Sequence, residues 1–107
     1  MNLPKVIADL VHAQDSFDSI AYANCFSETA VVYDEGNTHT GKKEIQQWIT
    51  EANRKYKTTM NPIAYKEKGA ASLLTAELSG TFPGSPIVLH YHCEITDGLI
   101  SSLRITS

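Results

Sequence analysis

Residues 90 to 94 read HYHCE, with His90 and His92 two apart and Glu94 two further on. On a β-strand, side chains two apart point the same way and stand about 6.6 Å apart at their bases, within reach of one shared ion. Glu94 stands as far again beyond His92, so a third ligand is strained and a fourth has to come from elsewhere. His39 is the remaining candidate, and it lies beside an expected helix with no reason to converge. The alternation favours a polar or partner-forming outer face over a metal centre. A pH-sensitive contact through the histidines is a third reading. On the opposite face of the same stretch fall Ile87, Leu89, Tyr91, Cys93 and Ile95. That set is the more apolar and is expected to look inward. Cys93 has no evident base beside it, so a catalytic thiol is not expected. Outside HYHCE, Asp34 is the best single candidate for chemistry: it closes an apparent strand just after Tyr33 and before a glycine turn. As an ordinary strand-end aspartate it caps that turn.

The elements that must position these groups follow from periodicity. Leu3, Val6, Ile7, Leu10, Val11 and Gln14 recur at helical spacing and predict a helix over 3–14, with Pro4 in its first turn and His12 on the wet side. Asp15, Ser16 or Asp18 can cap a second short helix reaching about Phe26. Residues 30–34, AVVYD, predict a short strand, Glu35-Gly36-Asn37 a turn, and 38–40 a returning strand. Ile45, Trp48, Ile49, Ala52 and Tyr56 form one apolar stripe of a third helix that Thr40 or Gly41 can cap. After Lys57 the period changes to two. Strands are expected over 60–68, where Pro62 suggests an edge or a bulge, over 72–82, over 87–96 and over 99–106, with Asp97-Gly98 as a tight turn between the last two. A strict two-residue turn there sends Leu103 and Ile105 to the histidine face; a one-residue bulge sends them inward. Trp48, Tyr56, Phe26 and Phe82 are core or pocket lining.

The chain has 107 residues, 42% hydrophobic and 20% charged, with a formal net charge of -3, which suits a single domain over 1–107. No basic stripe exists to track phosphates, so no nucleic-acid partner is expected. No apolar run is long enough for a membrane span, and the first residues do not read as a signal peptide. Cys25 and Cys93 match no zinc or redox spacing. Two buried free thiols in a reducing cytoplasm is the plain reading, with a disulfide between them left open. No glycine-rich phosphate loop and no nucleophile elbow are present. Helices first and an antiparallel meander last predict an α+β domain with helices packed on one face of a sheet.

The order of elements, with the run Phe26 to Asp34 (FSETAVVYD), Thr40 to Ile45 (TGKKEI) and Thr96 to Ile100 (TDGLI), resembles the nuclear-transport-factor-2-like superfamily, and its SnoaL-like branch in particular. The resemblance covers nearly the whole chain. It implies a cone-shaped, strongly curved, mainly antiparallel sheet with the three helices of the N-terminal half on its concave face. The cone would hold a small hydrophobic molecule without a cofactor or metal. Such proteins are ketosteroid isomerases, polyketide cyclases, dehydratases and epoxide hydrolases, or non-catalytic binding and assembly modules; both classes stay open here, because one fold hosts many functions. By this resemblance Asp34 occupies the general-base position of the isomerases, where an apolar surrounding raises a carboxylate's pKa. Tyr91 occupies the position of their oxyanion-hole aspartic acid and supplies a phenol donor, while Leu10 stands where they keep a tyrosine. The implied pocket lining is Leu10, Phe26, Tyr33, Trp48, Phe82, Leu89, Cys93 and Ile95. Asp15 matches an acidic position of scytalone dehydratases, though Gln14 precedes it where they carry tyrosine, and a helix cap is the stronger reading. The resemblance also implies a homodimer through the outer sheet face, His90, His92 and Glu94 included.

Overall fold

A computed structural model describes residues 1–107. The helix α1 spans Lys5–Asp15 and buries Val6, Ile7, Leu10, Ala13 and Gln14, the stripe that the periodicity marks. It starts after Pro4, whose fixed φ suits a helix entry but whose ring offers no cap. Asp18 caps the short helix α2, Ser19–Ala23, by accepting from the Ala21 N–H at 3.0 Å. Asp15 does not cap a helix. Its carboxylate accepts from the main-chain N–H of Met60 at 2.7 Å and pins the end of α1 to a distant strand.

The first strand, β1, runs from Phe26 to Asp34, four residues earlier than the β-branched run suggests, and the second helix is correspondingly shorter. The polar segment Ser27–Thr29 is extended because it starts beside the last strand, where Phe26 stands opposite Ile100. That pairing is tertiary and leaves no local signal. β1 turns through Glu35-Gly36, both at positive φ, into β2, Asn37–Thr40. The helix α3, Lys42–Tyr56, follows Gly41, and Glu44 accepts from the Thr40 N–H at 2.9 Å.

Four long strands complete the sheet: β3 over Thr59–Lys68, β4 over Ala71–Ser79, β5 over Ile87–Thr96 and β6 over Leu99–Thr106. The spatial order is β2-β1-β6-β5-β4-β3, antiparallel throughout except where β1 and β6 run parallel. Pro62 sits on the edge strand, where the ladder also shifts register. β4 ends three residues before the alternation does. At Gly80 an added Cβ would lie 2.4 Å from the Tyr56 carbonyl oxygen, and the next residue, Thr81, donates its N–H to that same oxygen at 2.7 Å. The chain leaves the sheet there to tie itself to the end of α3.

The sheet curves without closing, and the helices lie in its concavity. Tyr22, Phe26, Ile7, Leu10, Ile45, Leu74, Ile100, Leu103 and Val32 have essentially no exposure. Ile100 faces Ile95 and Ser102 faces Glu94, so Ser101 is an extra residue in β6. The bulge turns Leu103 opposite Cys93 and Ile105 opposite Tyr91, on the inner face. Leu103→Ala should therefore cost about 2–5 kcal/mol in urea unfolding, the range for a leucine cut from a packed core. A loss within about 0.5 kcal/mol, as at an exposed position, would place Leu103 on the outer face and contradict this register.

Candidate functional site

Between α3 and the inner face of the sheet lies a cavity of about 1110 Å³. Every helix and most strands contribute to its wall: Gln14 from α1, Tyr22 from α2, Trp48 and Asn53 from α3, Asp34 from β1 and Tyr91 from β5. Phe82, just beyond β4, and Ile105 of β6 close its sides.

Asp34 faces inward because it lies two residues from Val32, which is fully buried. The same period drives Tyr33 out. That residue is 45% exposed and stands opposite Arg104 on the outer face, so its expected place in the lining is corrected. Asp34 is half-buried. Loss of solvation pushes its carboxyl up to about 6, and the neighbouring Glu35 charge adds to the rise. The approach of the Trp48 indole N–H and the Glu35 main chain pull the other way. Tyr91 is 3% exposed, and burial, then the Asp34 charge, holds its phenol well above the ordinary tyrosine value. A phenol so held keeps its proton and can donate it in a hydrogen bond to an oxygen that gains charge.

Of the lining residues the sequence suggests, Asp34, Trp48, Phe82 and Tyr91 border one cavity. Leu10 and Phe26 do not; they are sealed in the core beneath it. Cys93 is buried, and Leu89 and Ile95 pack against the core instead of the open space. The turn end of the cone is filled by Phe26, Leu74, Ile100 and Leu103, which keeps Cys93 and Ile95 from the open space, whereas Leu89 lies between the lining residues Ile87 and Tyr91 and packs against the core. Both cysteines are free thiols.

Tyr22, His39, Gln14 and Asn53 are among the wall residues that have no place in that expected lining. Tyr22 is 1% exposed, stacks edge-on against Trp48 at 6.0 Å, and its hydroxyl has no hydrogen-bond partner. His39 stacks on Trp48 at 5.4 Å and lies diagonally across the β1–β2 ladder from Asp34, on the same face. Gln14 and Asn53 are buried and bond each other, Gln14 Nε2 donating to Asn53 Oδ1 at 3.0 Å. The sequence carries a signal for the last two: each is a polar residue on an otherwise apolar helical stripe. Tyr22 and His39 leave none.

His90 and His92 lie on the outer face, separated from His39 by the sheet. Each bonds a threonine across the ladder, His90 Nδ1 with Thr75 Oγ1 at 3.1 Å and His92 Nε2 with Thr106 Oγ1 at 3.0 Å. No three histidine, cysteine or acidic side chains converge. A shallower groove of about 560 Å³ crosses this face along one ladder row, Tyr33, Arg104, His92, Leu73 and Lys66. No helix is long and apolar enough to cross a membrane.

A protein of Sinorhizobium meliloti to which polyketide cyclase activity is ascribed is 35% identical to this chain, with a TM-score of 0.93 over 97% of this chain and 95% of that one. A Catenulispora acidiphila protein with a ketosteroid isomerase-like fold, solved with trimethylamine, is 16% identical, with a TM-score of 0.89 over 99% and 87%. SalBIII, an epoxide hydrolase/cyclase-like enzyme with a role in pyran ring formation in salinomycin, is 17% identical, with a TM-score of 0.81 over 94% and 86%. The last two likenesses are of fold alone. No family model and no curated protein matches the chain.

The raised carboxyl has a consequence for stability. Asp34 binds its proton more tightly in the folded chain than at the ordinary 3.8, so ionising it weakens the fold progressively as pH rises from about 3.8 to about 6. Asp34→Asn should melt above the wild-type protein at pH 7. The gap should shrink through that window and vanish near pH 3. A gap independent of pH would mean that the carboxyl is not desolvated.

Proposed function

The chain belongs to the SnoaL-like branch of the nuclear-transport-factor-2-like superfamily, and on that premise we propose that it binds a small hydrophobic carbonyl compound in the inner cavity and moves a proton on it without a cofactor. The observation that carries this reading is Asp34: an inward, half-buried carboxyl raised to about 6, in the same cavity as a neutral phenol. A base with that pKa is largely ionised at neutral pH, yet it is basic enough to accept a proton from carbon beside a carbonyl. Tyr91 donates to the enolate oxygen as charge develops there. Trp48 and Phe82 supply apolar walls that exclude water from the exchange. The proton taken by Asp34 returns to another carbon in isomerisation, goes to the alkoxide oxygen formed when the enolate carbon closes a ring on a second carbonyl, or joins a departing hydroxyl that leaves as water in dehydration. Two unbridged buried thiols accord with a reducing, cytoplasmic setting.

Assay of the wild-type protein against hydrophobic enones and polyketide-like aromatics tests this directly. With a turned-over substrate, kcat/KM should rise with pH through an apparent pKa near 6. Asp34→Asn should lower kcat by about 10²–10⁴-fold, and Tyr91→Phe by about 10²–10³-fold. Ligand binding that Asp34→Asn leaves unchanged, with no turnover, would instead identify a binding module.

Self-association through the outer sheet face, with His90, His92 and Glu94 at its centre, is part of the same proposal. Val88 and Tyr33 are exposed apolar groups on that face beside the charged row. Sedimentation should give twice the mass of one chain, and Val88→Glu should return it to one. A wild-type protein of single-chain mass at about 100 μM would remove this part; interfaces of ordinary size hold far below that concentration.

A further inference from the structure

Two polar groups in the cavity wall lack a protein partner although they are almost wholly enclosed, the Tyr22 hydroxyl and Asn53 Nδ2. A chain of bonds decides which atom of Asn53 is left over. The Thr58 carbonyl oxygen only accepts, so the Gln14 atom 2.8 Å from it is Nε2. The same Nε2 meets Asn53 at 3.0 Å, so the atom there is Oδ1. Turning either amide over sets donor against donor or acceptor against acceptor. The spare N–H groups of Asn53 therefore sit on the side away from Gln14, in a residue that lines the cavity and is only 8% exposed. Asn53 lies four residues after Ile49 and eight after Ile45 on the buried stripe of α3, where a leucine would leave no polar group unpaired. A buried donor without an acceptor weakens the folded state and calls for an occupant that supplies one.

We propose that Asn53 Nδ2 is a ligand-binding donor, and that the ligand is a small apolar molecule with two acceptor oxygens. One is the carbonyl at the Asp34–Tyr91 end; the other is a second carbonyl oxygen that meets Asn53 on the α3 wall. Gln14 and the Thr58 main chain are positioning groups, fixing the amide before the ligand arrives. The Tyr22 hydroxyl lies in the wall that also carries Asp34 and Tyr91 and is assigned to the first oxygen. The inference rests on the reading of the cavity as a ligand site and names the class of molecule that fits it.

Isothermal titration with decalin-1-one, decalin-1,5-dione and decalin-2,6-dione keeps the carbon skeleton and adds the second oxygen. At least one dione should bind the wild-type protein about tenfold more tightly than the monoketone, the worth of one hydrogen bond. In Asn53→Leu that advantage should disappear, the diones binding no more tightly than the monoketone. Asn53→Asp keeps an acceptor for Gln14 and replaces the donor by a carboxylate, so the diones should bind it more weakly than the monoketone. Melting curves show which variants are folded, and either folded variant decides. A dione advantage that survives substitution, or monoketone binding with no dione advantage in the wild type, overturns the second subsite and leaves the cavity as a ligand site. Failure of all three ketones to bind overturns both readings.

Discussion

Ser101 has no partner across the β5–β6 ladder, because Ile100 stands opposite Ile95 and Ser102 opposite Glu94. Strand side chains alternate strictly, so one unpaired residue exchanges the two faces for everything beyond it. Here it turns Leu103 and Ile105 inward beside Cys93 and Tyr91, and leaves Arg104 outward beside His92. The inner face of β6 is then apolar along its length and carries one wall of the cavity. Without the bulge the same residues would present a partly apolar outer face, and the core would lose Leu103. The packing of the concavity, the chemistry of its rim and the polarity of the outer sheet all depend on this parity.

Among the buried residues of that frame the polar groups are few, and their energetics point one way. Asp34 is raised by lost solvation, Tyr91 is kept neutral, and Tyr22 and Asn53 hold donors that no protein group satisfies. Each is a local cost that a purely structural core would avoid with leucine or phenylalanine. They occur together on one cavity, while the rest of the core, from Ile7 to Ile100, contains almost nothing polar. In the proposed reaction such donors and such a base need no rearrangement when charge develops, which is the condition for electrostatic catalysis. The same cost makes the site locally unstable, so its neighbours must hold it. Asp15 bonded to Met60 and Thr81 bonded to Tyr56 fasten the end of α1 to β3 and the end of α3 to the segment after β4.

The element types were legible in the residues. The stripes of α1 and α3, the aspartate cap of α2, and the alternation of β4 and β5 are written in local periodicity. The Asp97-Gly98 turn has positive φ at both residues, the conformation that this dipeptide favours. The inward face of β5 and the inward turn of Asp34 follow from period two alone. So does the outward turn of Tyr33, once Asp34 is taken as inward. Local pattern sufficed for these because each depends on neighbours within a few residues along the chain.

What only the tertiary structure decided depends on residues far apart in the chain. The start of β1 at Phe26 is set by Ile100, and the end of β4 at Ser79 by the carbonyl of Tyr56. The bulge was one of two alternatives open to the chain, and burial of Leu103 in the core selects it. Which inward residues meet open space and which meet core was likewise beyond alternation, because Leu89, Cys93 and Ile95 share a face with Tyr91 and differ only in what the helices place over them. Tyr22, His39, Gln14 and Asn53 join Asp34 on one cavity by the packing of α1, α2, α3 and β2, a convergence in space with no spacing in sequence. By itself the sequence determined the kinds of element and the two faces of β4 and β5, and it singled out Asp34 as a candidate. The curvature of the sheet under its helices decided where the space lies, because a cavity is the volume that packing leaves unfilled.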